Sequence, residues 1–156
     1  MTTDTDSVRQ EGPTGQCFVC AKHGYFALEP AEDVARGITV THFADGYFSS
    51  LVVYDAAGRV WRVEAAEPVV PITRFKKLLA RTVVDSVISV RLTWARPQAY
   101  AFGDLREAFL RAAEEDDDNL TQFVEREELL QRIRNCGSFA ALAEVYEWAG
   151  TDTSES

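Results

Sequence analysis

Three residues near the start of the chain have the spacing of metal ligands. Cys17-Phe-Val-Cys20-Ala-Lys-His23 is a C-x2-C-x2-H run, and two thiolates with one imidazole are donors that a tetrahedral zinc takes. A fourth ligand would have to come from His42 or Cys136, both far away in sequence. A c-type haem would need His directly after the second Cys, where Ala21 stands. A thioredoxin-like redox pair opens a helix after a strand in a βαβ unit, and no such unit precedes Cys17. Ordinary thiols are the alternative to zinc. Cys136, beside Gly137, reads as a small buried hydrophobe.

The second constellation is acidic. Glu114, Glu115, Asp116, Asp117 and Asp118 stand in a row, and Glu125, Glu127 and Glu128 follow closely. The row falls where an apolar-faced helix ends, although a helix C-terminus carries partial negative charge. The later three fall at the start of the next helix, where negative charge is favoured. The run can be a solvated turn between helices or a docking patch for a basic partner. A twelve-residue calcium loop starting at Asp117 would put Asn119, Thr121 and Glu128 on ligand positions, but Gln122 stands where the tight turn requires Gly.

Other motifs are missing. The chain has no G-x-S-x-G, H-E-x-x-H, P-loop or G-x-G-x-x-G. Its two histidines, His23 and His42, lie in no nucleophile arrangement, and His42 reads as a core residue on the Ile38/Val40 side of a strand. The aromatics Tyr25, Phe26, Phe43, Tyr47, Phe48 and Tyr54 could line a pocket or cover both faces of a sheet. Nothing in these residues supports catalysis. No cofactor is expected, apart from the zinc that Cys17, Cys20 and His23 could hold.

The charge is split along the chain. Residues 1–103 hold 11 Asp/Glu and 11 Lys/Arg, whereas residues 104–156 hold 14 acids and 5 bases, so the net −9 lies wholly in the last third. Within 104–128, ten acids face only Arg106, Arg111 and Arg126. Such a field repels nucleic acid and anionic membrane and draws cations. A DNA mimic would spread its acids along an extended face, whereas these cluster. The one basic group, Arg74, Lys76, Lys77 and Arg81, reads as an exposed helix face or a contact with the acidic third.

The elements that must position these residues follow from size and pattern. A chain of 156 residues buries roughly 70% of its unfolded surface and needs no disulfide or metal to fold. Residues 1–16 and 150–156 are polar and read as solvated tails around one domain at 17–149. Residues 1–16 carry no apolar run, and no stretch approaches about 20 apolar residues, so a cytoplasmic protein is expected. Arg outnumbers Lys by 13 to 3, which fits a GC-rich bacterial source.

Tyr25–Leu28 could be a short strand, and Pro30–Arg36 a two-turn helix. Ile38–Phe43, Tyr47–Tyr54 and Arg59–Glu64 alternate apolar and polar residues and predict a three-strand meander, with Asp55-Ala-Ala-Gly58 as the second turn. Glu67-Pro-Val-Val-Pro71 breaks the sheet, Ile72–Arg81 predicts a helix, and Val87–Trp94 a fourth strand. Asp104 could cap a helix carrying Leu105, Ala108, Phe109 and Ala112 on one side. A second should run from near Val124 to Asn135, and a third should open at Ser138 with Phe139, Leu142, Ala143 and Tyr146 inward. The expected fold is α+β: an antiparallel sheet of about four strands packed against C-terminal helices.

One compact domain with an acidic face and no catalytic motif resembles, in its organisation, bacterial immunity proteins that neutralise toxins. That resemblance implies a non-catalytic, antitoxin-like inhibitor docking a basic protein partner, with no nucleic acid and no membrane involved. The alternative is a zinc- or thiol-dependent protein centred on Cys17, Cys20 and His23.

Overall fold

The computed structural model describes residues 12–36, 38–69, 87–115 and 119–151. The expected helix at 72–81, its basic residues Arg74, Lys76, Lys77 and Arg81, and three of the carboxylates, Asp116, Asp117 and Asp118, lie outside the described residues.

Strand formation starts earlier than the alternation pattern suggests. Gln16–Ala21 is strand β1, and a single 3-10 turn at Lys22–Gly24, closed by Gly24 at φ 75°, leads into β2, Tyr25–Pro30. Cys17, Phe18 and Val19 are all buried. A strand covered on both faces shows no polar–apolar alternation, so the sequence pattern misses it. The expected two-turn helix at 30–36 is one 3-10 turn, Ala31–Asp33.

The expected strand at 38–43 is a correction. Only Ile38–Thr39 is extended (β3), and Val40–Ala44 is a short helix, α1. The Thr39 hydroxyl accepts the His42 N–H at 3.2 Å and caps this helix, so a local side-chain bond overrides the β-propensity of Ile, Val and Thr. Residues 47–51 are turn rather than strand, because the Ser49 and Ser50 hydroxyls donate to the carbonyls of Gly46 (2.8 Å) and Tyr47 (2.9 Å). Such bonds compete with a strand ladder.

From there the pattern holds. Val52–Asp55 (β4) and Arg59–Pro68 (β5) form the hairpin expected around Asp55–Gly58, with Gly58 at φ 88°. β5 runs through Glu67 to Pro68 and does not stop before them. Val87–Ile88 (β6) and Val90–Trp94 (β7) cover the predicted fourth strand, and Gln98–Ala99 (β8) follows. All pairings are antiparallel. Six strands form one sheet in the order β2-β1-β4-β5-β7, with β8 also on β5, while β3 and β6 pair separately.

Three helices close the chain: α2, Phe102–Glu114; α3, Arg126–Arg134; and α4, Phe139–Ala149. The residue capping α2 is Ala101, which makes no side-chain cap bond, and Asp104 lies in the first turn instead. Ser138 caps α4 as expected, accepting the Ala141 N–H at 3.1 Å. Among the described residues, no helix is long and apolar enough to cross a membrane.

Both faces of the sheet are covered. Phe18 and Phe26 pack with Leu105, Phe109, Leu129, Ile133 and Leu142 of the helices. Cys17, Val19, Val53 and Trp61 pack with Val34, Phe48, Leu51 and Val90 on the other side. Each fully buried large side chain contributes about 2 kcal/mol. The molecule is thus α+β, with β2 at one edge of the six-stranded sheet.

Candidate functional site

The acidic residues that can be placed sit at the corner between α2 and α3. Glu114 and Glu115 close α2, Glu125 precedes α3, and Glu127 and Glu128 lie in its first turn. All five are exposed. Glu128 pairs with Arg132 at 3.2 Å, both about half exposed, and such a pair contributes little. Glu114, Glu115, Glu125 and Glu127 make no ion pair among the described residues.

A groove of about 470 Å³ opens at this corner, lined by residues 121–125, Glu128, Trp148 and Thr151. Phe123 is 40% exposed beside it. The Arg132 guanidinium lies 3.9 Å above the Trp148 ring and holds that indole against α3. Carboxylates around a partly exposed aromatic floor can bind a basic, amphipathic surface. Asn119 is exposed and Thr121 half-buried in this segment; Asp117, the first residue of the conceivable calcium loop, lies outside the described residues.

The cysteine cluster is arranged differently. Cys17 and Cys20 are three apart on β1, and successive strand residues alternate faces. Cys17 is buried with Val34 and Trp61, whereas Cys20 packs on the helix side. The two thiols do not share a side of the sheet, so two ligands of one tetrahedral zinc are not brought together. Only the backbone of His23 is described. No group of three or more His, Cys, Asp or Glu suited to a metal occurs among the described residues. Burial pushes both thiols up to about 12, the opposite of what a reactive thiolate needs. Cys136 is buried, donates its S–H to the Arg132 carbonyl, and is pushed up by burial too.

A second concavity lies at the β2 edge and was not anticipated as a unit. It holds about 690 Å³ between the β1–β2 turn, the 3-10 turn at Ala31–Asp33, α1 and α4. Tyr25 and Glu29 come from β2, His42 from α1, Tyr47 from the turn after it, and Tyr146 from α4. His42 is therefore not in the core: it is exposed, and its ring stacks on Tyr47 at 6.3 Å and 29°. Tyr25 and Tyr47 meet edge-on at 6.0 Å. The Tyr146 ring lies 6.4 Å from that of Phe26 on β2. Phe26, Phe43 and Phe48 serve the two cores, and Tyr54 packs on Tyr100.

Glu29 lines the same cavity as the three tyrosines. Burial and then Asp33 push its carboxyl above the usual range. Burial first, and its charge further, raise Tyr25, Tyr47 and Tyr146. Tyr25 and Tyr47 were visible as aromatics in the sequence. Glu29 and Tyr146 were not, because residues so far apart in sequence are joined only by the packing of α4 on β2.

No protein-family model, no curated protein and no solved structure matches this chain.

Proposed function

We propose that this protein is a non-catalytic binding module that docks a basic protein partner on the corner between α2 and α3. One observation carries the reading: Glu114, Glu115, Glu125 and Glu127 are exposed and without ion pairs among the described residues, and Glu125 lines a groove together with Phe123. Carboxylates already neutralised by internal arginines would have no charge to offer. Unpaired and concentrated, they steer a cationic surface and accelerate encounter by about ten-fold or more at low salt. Phe123 and Trp148 would supply the apolar contact that charge alone lacks. An acidic inhibitor of a cationic bacterial toxin, as an immunity protein is, fits this organisation.

The test is association with the product of the adjacent open reading frame, measured by surface plasmon resonance at low and physiological salt. The association rate should fall steeply with salt, and fall further in Glu114→Gln/Glu115→Gln and Glu125→Gln/Glu127→Gln double variants. An affinity for every partner found that ignores both salt and these substitutions would overturn the reading.

A further inference from the structure

We infer that the cavity at the β2 edge is a binding site for an organic cation, an ammonium or guanidinium group held among Tyr25, Tyr47 and Tyr146 against the Glu29 carboxylate.

The argument starts from a contrast between two carboxylates. Asp55, the one buried charged residue among those described, accepts from the N–H groups of Ala57, Arg59 and Trp61 and from the Arg59 guanidinium. Glu29 is half-buried on β2, and among the described residues no donor or cation contacts it. Withdrawing a carboxylate from water without a partner is costly. Packing does not call for it either, since Glu29 pairs across the ladder with Cys17 of the apolar core, where an aliphatic side chain would serve.

The nearby cations are already engaged. The Lys22 ammonium donates to the Asp45 carbonyl at 2.6 Å, and Arg36 pairs with Asp33 at 3.5 Å. An anionic ligand would meet the Glu29 carboxylate, which no cation pairs among the described residues. A hard metal ion would find one available carboxylate and protonated phenols, too few oxygen ligands. A cation gains on both counts: a charge-assisted hydrogen bond to Glu29 and the negative faces and hydroxyl oxygens of the tyrosine rings. The volume, about 690 Å³, is that of an ordinary small-ligand cleft. Its walls come from the β1–β2 turn, β2, the stretch after it up to Ile38, α1 with its following turn, Asn119 and Leu120, and α4.

The same head group can arrive on a small metabolite or on an arginine or lysine of a polypeptide, and two probes separate these sources. The full chain, labelled with nitrogen-15, is titrated with agmatine and with a capped pentapeptide of four glycines around one arginine. A pentapeptide with glutamine in place of arginine is the neutral control. Shifts of the amides of residues 24–29, His42, Tyr47 and Tyr146, weakened about ten-fold by Glu29→Gln, support the site. Binding of agmatine assigns it to a free cation; binding of the arginine peptide alone assigns it to a polypeptide side chain. Tyr47→Phe, which keeps the ring and removes the hydroxyl, should weaken binding several-fold if Glu29→Gln fails to fold. Equal shifts with the neutral peptide, shifts confined to the corner at Glu114–Glu128, or no shifts at all overturn the inference.

Discussion

The Trp61 indole N–H donates to Asp55 Oδ2 at 2.8 Å, across the hairpin that joins β4 to β5. The other carboxylate oxygen accepts the N–H groups of Ala57 (3.0 Å) and Arg59 (2.9 Å), which shapes the turn itself. Tyr100 adds a bond to the Asp55 carbonyl at 2.8 Å and so fastens the segment before α2 to the same hairpin. One residue thereby fixes a turn and a core tryptophan through its side chain and a crossover through its backbone carbonyl. Asp55→Ala would leave the buried Trp61 N–H and two part-buried backbone N–H groups without their acceptor. It is expected to lower the unfolding free energy by about 3 kcal/mol in urea titrations, and Asp55→Asn by less. A loss below about 1 kcal/mol would mean that water replaces the carboxylate.

The thiols make an alkaline prediction. Folding raises Cys17 and Cys20 from 9.0 to about 12, through burial. Between those values the unfolded chain has released protons that the folded chain still holds, so stability falls as pH rises through this window and is unaffected below it. Cys20→Ser should flatten the alkaline decline measured by denaturation at stepwise pH. Neither thiol should react with an alkylating reagent near pH 8 until the chain unfolds; rapid labelling of native Cys17 would contradict the burial seen here.

Glu29 gives the opposite experiment at low pH. Its carboxyl is raised above 4.5, chiefly by desolvation. The folded chain therefore holds this proton more tightly than the unfolded one, and stability drops as pH rises through the raised value and stays lower at neutrality. Glu29→Gln removes the effect. Relative to the parent, the variant should gain stability between about pH 4 and pH 7, as urea midpoints would report. A relative loss over that interval would mean the ionised carboxylate has a stabilising partner.

The helical third was legible because each signal was local. Leu129, Leu130 and Ile133 on α3, and Leu142 and Ala149 on α4, repeat at helical spacing and are buried, and Ser138 caps where a serine should. The Asp55–Gly58 turn was equally plain. Reading failed where a side-chain bond or long-range packing decides the backbone. Thr39 turns an alternating β-branched stretch into α1, the serines after Gly46 hold a turn where a strand was expected, and β1 hides because both its faces are covered. The site was legible only in part for the same reason. The acidic corner is contiguous in sequence, but the tyrosine-lined cavity exists only after β2, α1 and α4 have been brought together.

The placement of β1 has a consequence for how the molecule comes apart. Cys17 and Val19 belong to one apolar layer and Phe18 to the other, so both layers are built on the same strand. Neither can loosen while its neighbour stays intact, and thermal or chemical damage begun beneath Trp61 reaches the helices carrying Trp148 in the same transition. Cooperativity of that kind ties the fate of the acidic corner to the sheet.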